Sequence, residues 1–185
     1  MKSDHLFELI EISPGVVCPV RGCRSDFVGV VRADRAYRLV AVRPVAAGAR
    51  LFQIEGEKTD QPTRYSVQIG ENLHVDLGAG HSGEEILDRY FWRFMNHSCD
   101  PNTLLRSQEV IASHDIEPWA DVTFNYNTTE YEMAEAFACH CGTPRCLGTI
   151  RGFKHLTSAE RERLRPLLAP HLIRLLPSGP GPEPK

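Results

Sequence analysis

Short segments in which apolar and polar residues alternate occupy the middle of the chain. The clearest is residues 64–69, where Tyr65, Val67 and Ile69 alternate with polar side chains. Similar strand-like segments cover residues 39–42, 51–54, 73–77 and 121–126. Alternation with a period of two indicates a half-buried strand, and short continuous apolar runs indicate more deeply buried ones. The sequence therefore predicts a mainly β core, without the regular alternation of strands and helices found in parallel sheets.

Two other segments have helical spacing. The first, residues 84–94, presents four apolar side chains on one side of a short helix, namely Ile86, Leu87, Tyr90 and Phe94. In the second, Thr157 and Glu160 form a capping-box pattern, and leucines recur at helical spacing as far as residue 176. Because Pro166 and Pro170 interrupt this segment, it predicts two short helices or one kinked helix.

The chain has the length and composition of one globular domain with short attachments. Its 185 residues are 42% hydrophobic and 24% charged, with a net charge of -3. Lys and Arg form no long run, so direct nucleic-acid binding is not expected. Acidic residues interrupt the apolar N-terminal stretch, which is wrong for a secretory signal, and no apolar run is long enough to span a membrane. The cysteines are therefore expected to stay reduced.

Six cysteines stand at positions 18, 23, 99, 139, 141 and 146. The close spacing of Cys139, Cys141 and Cys146 indicates a structural zinc site, which needs a fourth nitrogen or sulfur ligand. Cys99 is the best candidate and His140 is an alternative, while unligated buried thiols are a third interpretation. The two N-terminal cysteines are interpreted as free thiols. A shared metal would fasten the C-terminal segment to the middle of the domain.

Three motifs in this order resemble one known family. Residues 93–102, RFMNHSCDPN, resemble the RFxNHSCxPN signature of SET-domain methyltransferases, and residues 121–126, DVTFNY, resemble the family's second signature, ELTFDY. Residues 139–146, CHCGTPRC, resemble the post-SET segment, whose three cysteines share one zinc with the cysteine of the NHSC motif. Together with a fainter likeness at residues 45–57, the resemblance to SET-domain lysine methyltransferases covers residues 37–152.

The resemblance implies roles for individual residues. Tyr126 matches the catalytic tyrosine, Asn96 and His97 match residues that hold S-adenosylmethionine, and Phe124 matches a position that limits how many methyl groups fit. Two further aromatic candidates for the lysine channel are Tyr65 and Tyr90. The implied Zn²⁺ ligands are Cys99, Cys139, Cys141 and Cys146. From the pattern alone, the polar residues are loop groups with local hydrogen bonds and the aromatic residues belong to the core.

The fold implied by the resemblance is a mainly β, or β-rich α+β, SET-domain fold of small antiparallel sheets with a C-terminal pseudoknot. The expected organisation is an N-terminal extension packed on the core, the SET domain, a zinc-bound post-SET segment, a helical segment and a disordered tail. Their predicted bounds are 1–35, 36–128, 129–153, 154–176 and 177–185. The helical segment packs either on its own domain or against a second copy in a dimer, and the oligomeric state is left open.

The chain departs from the family pattern at two places. Where the family carries a glycine-x-glycine turn beside the cofactor, this chain has Ala36, Tyr37 and Arg38. Either the pocket is built differently, with Tyr37 stacking on the adenine, or S-adenosylmethionine binds weakly or not at all. The second departure is the segment 118–121, PWAD, where the family commonly has a glycine-glutamate turn.

The motifs and the departures from the family pattern are compatible with two functions. The first is an S-adenosylmethionine-dependent protein-lysine N-methyltransferase that acts on a lysine-bearing protein or peptide, with histone-like proteins as a target class. The alternative is a non-catalytic zinc-binding SET fold that serves as a peptide-binding or scaffold module. The small size and the absence of a basic run favour a cytoplasmic location, with a nuclear one as the alternative.

Overall fold

The computed structural model describes residues 7–13, 16–33 and 36–177. The strands are β1 Glu8–Ser13, β2 Val16–Cys23, β3 Ser25–Ala33, β4 Ala36–Ala41, β5 Arg50–Gln53, β6 Glu57–Thr59, β7 Val67–Gly70, β8 Leu73–Asp76, β9 Asn96–His97, β10 Thr103–Arg106, β11 Glu109–Ala112, β12 Thr123–Phe124, β13 Phe137–Ala138 and β14 Thr149–Ile150. The α-helices are α1 Gly83–Asp88, α2 Ser158–Leu164 and α3 Pro170–Ile173. Short 3-10 helices cover Phe91–Phe94, Tyr126–Thr128, Phe153–His155 and Arg165–Leu167.

These strands form several small sheets, which confirms the predicted mainly β fold class. Strands β1, β2, β3 and β4 form one antiparallel sheet in that order. Two three-stranded antiparallel sheets have the orders β10-β11-β5 and β6-β8-β7. Strands β13 and β14 form an antiparallel pair, whereas β9 and β12 pair in parallel. The parallel pair joins the two segments that carry the signature motifs.

The N-terminal segment extends the sheet that contains β4. Strand β3 pairs with the full length of β4, from Ala33 opposite Ala36 to Val28 opposite Ala41. Its valines are shared between two cores: Val30 belongs to the main hydrophobic cluster, and Val31 packs in a second, smaller one. Since side chains alternate between the faces of a strand, this sheet buries apolar residues on both sides.

Some predicted elements are shorter than the sequence pattern indicated. The strand predicted at residues 64–69 begins only at Val67, because Thr63 and Ser66 bond to each other instead: the Thr63 N–H donates to Ser66 Oγ at 2.9 Å. Such local side-chain bonds compete with strand pairing. The strand predicted at 121–126 is reduced to Thr123–Phe124, and the helix predicted at 84–94 divides into α1 and the 3-10 helix Phe91–Phe94.

The C-terminal segment agrees with its prediction. Thr157 and Glu160 form the capping box at the start of α2, and the two prolines separate α2 from α3. The leucines of this segment bury against Phe153 in a cluster of their own, formed by Leu156, Leu164, Leu168 and Leu172. No helix in the described part of the chain is long and apolar enough to cross a membrane. The tail prediction lies outside the described residues beyond Pro177.

Candidate functional site

The parallel pairing of β9 and β12 brings the two signature segments side by side. Asn96 lies opposite Thr123, and His97 lies opposite Phe124. Asn102 fastens the two segments together, because its Nδ2 donates to the Asp121 carbonyl at 2.8 Å and its Oδ1 accepts from the Thr123 N–H at 2.9 Å. An amide side chain that satisfies a donor and an acceptor on the same strand fixes the register of that strand. The site is therefore assembled from segments about 30 residues apart in sequence.

His97 connects this pair to the cysteines. Its Nδ1 accepts a hydrogen bond from the Tyr126 backbone N–H at 3.1 Å, so the ring proton belongs on Nε2, which lies 3.2 Å from Cys99 Sγ. Burial lowers the pKa of His97 to about 4, so the imidazole is neutral near pH 7. The neutral ring positions Tyr126 through one nitrogen and donates to the Cys99 sulfur through the other.

Tyr126 is held at the centre of the site. Its hydroxyl donates to the Met95 carbonyl at 3.0 Å, and its ring packs against Phe124, His97 and Phe137. Burial, with a smaller contribution from the charge of a nearby glutamate, raises the pKa of Tyr126 to about 12. The phenol therefore stays protonated near pH 7 and keeps free lone pairs on its oxygen.

Cys99, Cys139, Cys141 and Cys146 form one group. Their sulfur atoms all lie within 4.8 Å of one another, and the Cys99 and Cys139 sulfurs are 4.0 Å apart. Four sulfurs around a zinc ion at about 2.3 Å are about 3.8 Å from one another, so the cluster fits a closed tetrahedral site. His140 is not part of this group. The four residues proposed from the sequence are therefore the ones that the fold brings together.

Cys23 stands apart from this cluster. Cys23 Sγ lies 3.3 Å from the Val28 carbonyl and is not part of the four-sulfur group. Burial raises the pKa of Cys23 to about 12, so it remains a thiol. The side chain of Cys18 lies outside the described part of the chain.

A wide cleft of about 620 Å³ opens between the first signature and the cysteine segment. Its lining includes Asn96, His97 and Tyr126 from the signature segments, and Phe137 and His140 from the cysteine segment. A volume between 300 and 1,000 Å³ is typical of sites for small molecules and cofactors. The cleft therefore places the two residues matched to cofactor binding on the wall of a space large enough for a nucleoside.

A narrow cleft of about 50 Å³ is also lined by Tyr126. Its walls include the predicted channel residues Phe124 and Tyr65, together with Trp92 and Glu130. The residues that line both clefts are Arg64, Tyr65, Arg93, Tyr126 and Met133. Two spaces of different size therefore share Tyr126 as a lining residue.

Tyr37 and Tyr90 are not brought to this site. Tyr37 packs between Phe7 and Phe94, with ring centroids 6.1 and 4.9 Å away, and it borders the main core. Tyr90 is 7% exposed and packs against His81 at 4.7 Å. Among the described residues, both lie outside the two clefts.

The two departures from the family pattern contact each other. Arg38, at the second expected glycine, donates to both carboxylate oxygens of Asp121 at 3.0 and 3.1 Å. Trp119 has a φ of 68°, a backbone conformation that glycine adopts more easily than any other residue. Its indole packs against the cluster around Val31 and Val40, which offsets the backbone strain. The turn thus keeps a glycine-like backbone although it carries a large aromatic side chain.

Several lining residues had no signal in the sequence pattern. Glu130, Met133 and Phe137 lie between the second signature and the cysteines, in a segment without regular periodicity. Their proximity to Tyr126 results from the chain path after β12. For Phe137, the one signal was its position two residues before Cys139.

Comparisons with known proteins agree with this geometry. The profile of the SET domain matches residues 36–127. Histone-lysine N-methyltransferase ash1 of Drosophila melanogaster is 28% identical over 165 residues, which cover 80% of this chain and 7% of that protein. The H3 lysine-36 specific histone-lysine N-methyltransferase of Yarrowia lipolytica is 30% identical over 157 residues, covering 76% of this chain and 20% of that protein. Methyltransferase flvH of Aspergillus flavus is 31% identical over 118 residues, covering 62% of this chain and 59% of that protein.

The chain belongs to the SET-domain family. It spans 7% and 20% of the lengths of the two histone-lysine N-methyltransferases, so it corresponds to a limited part of each of them.

Proposed function

We propose that this chain is an S-adenosylmethionine-dependent protein-lysine N-methyltransferase. The observation that carries the proposal is that a wide and a narrow cleft share Tyr126 in their walls. Methyl transfer to an amine requires donor and acceptor to approach in line from opposite sides, and positioning is the main resource for such a reaction. Two clefts that share Tyr126 would let the methyl donor and the amine reach the same side chain from different spaces.

The wide cleft fits the cofactor. Asn96 and His97 would hold it from the signature strand, and the aromatic ring of Phe137 also lines the cleft. When bound, S-adenosylmethionine supplies an electrophilic methyl group on a positively charged sulfur. The Met95 carbonyl and the Tyr126 hydroxyl oxygen, 3.0 Å apart, carry lone pairs that would favour a positive centre beside them.

The narrow cleft fits the substrate lysine. Its apolar walls, including Phe124 and Trp92, shield the amine from water and so disfavour the ammonium form. An ordinary lysine has a pKa of about 10.4 and is protonated near pH 7, so this shift is required for attack. The Tyr126 phenol, which stays neutral, would orient the uncharged amine by a hydrogen bond.

The four cysteines would bind one structural zinc ion. Cys99 adjoins the first signature, while Cys139 and Cys141 also line the wide cleft. Closing a tetrahedral site through these residues fixes one wall of the cofactor cleft to the signature strand. The role of zinc in this proposal is therefore to shape the cleft.

The proposed substrate is a lysine-bearing protein or peptide, with histones as the target class. This part of the proposal is supported by the names of the relatives, two of which are histone-lysine N-methyltransferases. A histone substrate favours the nuclear location over the cytoplasmic one expected from size and charge alone. No nucleic acid or membrane partner is part of the proposal.

The alternative function is a scaffold that keeps the fold and the zinc but binds no cofactor. It is favoured by the replacement of the expected glycines by Ala36 and Arg38, since side chains there take space that the family leaves open. Cofactor binding discriminates between the two functions. A ligand at 100 times its Kd adds about 2.7 kcal/mol to the stability of the folded state, which is readily measured as a thermal shift.

Calorimetry of S-adenosylmethionine with zinc-loaded protein tests the proposal. We expect binding by the wild-type chain, loss of binding in Asn96→Ala, and unchanged binding in Gln61→Ala. Gln61 is a matched control because it is an exposed amide outside both clefts. If the folded wild-type protein does not bind S-adenosylmethionine at millimolar concentration, the result would contradict the enzyme function and support the scaffold function.

A further inference from the structure

Glu130 is a buried carboxylic acid in the wall of the narrow cleft. The residue is 6% exposed. Its Oε1 accepts hydrogen bonds from the Gln68 backbone N–H at 2.7 Å and from the Thr129 hydroxyl at 3.2 Å. Both bonds end on the same oxygen. Oε2 therefore remains able to accept further hydrogen bonds.

The histidines that face Glu130 are neutral near pH 7. His74, on β8, has its Nε2 3.7 Å from Glu130 Oε2. Burial lowers the pKa of His74, and the nearby His171 lowers it further. His171, on α3, uses its Nε2 to bond the Thr129 carbonyl at 2.8 Å, and burial lowers its pKa too. Neither ring supplies a positive charge to the carboxylate.

The arginines of the same cleft are engaged elsewhere. Arg93 lies 3.4 Å from Asp76 and its guanidinium stacks over the Tyr65 ring at 4.6 Å. Arg64 lies at the mouth of the cleft and pairs with Glu135 at 3.7 Å. Within the described parts of the chain, Glu130 therefore faces the cleft without a cation of its own.

We propose that Glu130 is the anionic partner of the substrate ammonium and the acceptor of its proton before methyl transfer. Buried charges are normally paired, because an isolated one is expensive to desolvate. The cleft that Glu130 lines is too narrow for a large ligand but suits an unbranched aliphatic amine. This inference rests on the proposed function, since it assigns a role within the same site.

The atoms and electrons of the proposed proton transfer balance. One N–H bond of the lysine ammonium breaks, an O–H bond forms on Glu130 Oε2, and the nitrogen keeps the electron pair that attacks the methyl group. Burial raises the pKa of Glu130 to about 7, against an ordinary lysine at about 10.4. The transfer is thus uphill by about 3 pKa units, rather than by about 6 with an ordinary carboxyl group. Glu130 returns its proton to solvent after the product leaves.

Glu130 also has a structural role that must be separated from this one. Gln68 uses its backbone N–H to reach Glu130, and its side-chain oxygen accepts from the Tyr131 N–H at 2.7 Å. These bonds fasten β7 to the segment that follows the second signature. Glu130→Gln keeps an oxygen that can accept both bonds at the Oε1 position, but it removes the negative charge and the proton acceptor.

The first test measures ammonium binding without catalysis. The full chain, loaded with zinc, is titrated with butylammonium at pH 8, and the indole N–H signals of its two tryptophans are followed by NMR. Trp92 lines the cleft and should shift, while Trp119 packs on the N-terminal sheet and should not. We expect Glu130→Gln to weaken binding at least tenfold and Glu132→Gln, an exposed neighbour, to leave it unchanged. Equal binding by the wild type and Glu130→Gln would overturn the proposal.

The wild-type protein provides a second measurement if the variant does not fold. Butylammonium binding should weaken as the pH falls below about 7, where Glu130 takes up a proton. Undiminished binding at pH 5 would contradict the proposal.

The methyl-transfer assay gives a third measurement. Glu130→Gln should lose the acid limb of the pH profile of kcat/KM, and an unchanged profile in that variant would also overturn the role of Glu130 as proton acceptor. A wild-type protein that binds butylammonium but transfers no methyl group would instead count against the proposed function alone.

Discussion

The hydroxyl of Tyr126 donates a hydrogen bond to the backbone carbonyl of Met95 at 3.0 Å. Met95 and Tyr126 come from different signature segments. Met95 directly precedes Asn96, which pairs in parallel with Thr123. Because burial raises the pKa of Tyr126 to about 12, this bond persists throughout the pH range in which the protein is expected to work. It fixes the orientation of the phenol of Tyr126, which lines both clefts.

Removal of this hydroxyl should suppress methyl transfer while leaving cofactor binding intact. We expect Tyr126→Phe to lower kcat by about a hundredfold or more, since loss of one positioned hydrogen-bonding group at a reacting centre has effects of this size. S-adenosylmethionine affinity, measured by calorimetry, should change little because Asn96 and His97 are untouched. Tyr131→Phe, at a tyrosine that is 41% exposed, is the control and should retain wild-type activity. Full activity in Tyr126→Phe would exclude the assigned role.

The clustered cysteines were predictable because local spacing and a recognisable motif encode them, whereas the pairing of β9 with β12 was not predicted. Cys139, Cys141 and Cys146 lie within eight positions, and Cys99 lies inside a recognisable motif. The alternating pattern likewise predicted β8 almost to the residue. These features need only short-range chemistry, namely metal-ligand spacing and a period of two.

The features that escaped prediction depend on long-range contacts. Arg38 meets Asp121 across 83 positions, and Trp119 keeps its unfavourable backbone only because the N-terminal sheet covers its indole. Tyr37 was expected to stack on a bound adenine, but its ring packs against Phe7 and Phe94. None of these partners is adjacent in sequence, so periodicity carries no information about them.

Loss of one cysteine of the cluster should release zinc and destabilise the chain. We expect Cys139→Ser to abolish stoichiometric zinc, measured by elemental analysis, and to lower the melting temperature, because metal binding contributes to folding. Cys23→Ser should retain one zinc per chain, since Cys23 lies outside the four-sulfur group. A zinc content well below one equivalent per chain in the wild type would contradict the proposed zinc site.

The size of the side chain at position 124 should set the number of methyl groups transferred. Phe124 is 4% exposed, and its ring centroid lies 4.6 Å from that of Tyr126. We expect Phe124→Tyr to shift products toward monomethyl-lysine, because an added hydroxyl takes space and can hold a water molecule beside the amine. Mass spectrometry of the products measures this distribution. An unchanged distribution would mean that position 124 does not limit the product.

Glu130 should make the stability of the wild type depend on pH in a way that Glu130→Gln does not. Burial raises the pKa of Glu130 from 4.5 to about 7, so the protonated carboxyl favours the folded state. This stabilising contribution is complete below about pH 4.5 and is lost as the pH rises through about 7. The free energy of unfolding should fall by about 3 kcal/mol in total, at 1.36 kcal/mol per pKa unit. Urea unfolding of both variants between pH 5 and 8 measures the difference. His74 and His171, whose lowered pKa values act in the opposite direction at acid pH, are present in both variants.

A constant stability difference between the two variants across this pH range would mean that Glu130 titrates normally. In that case the carboxylate would be a weaker proton acceptor than proposed. Glu132→Gln serves again as the control, because Glu132 is exposed and its pKa is lowered by Lys154.

The most direct test of the account is transfer of an isotope-labelled methyl group from S-adenosylmethionine to purified core histones, followed by mass spectrometry. We expect the zinc-loaded wild-type chain to add labelled methyl groups to lysine side chains, and Tyr126→Phe to add few or none in the same time. Absence of label from every lysine, with a wild-type protein shown to be folded and to bind the cofactor, would contradict it.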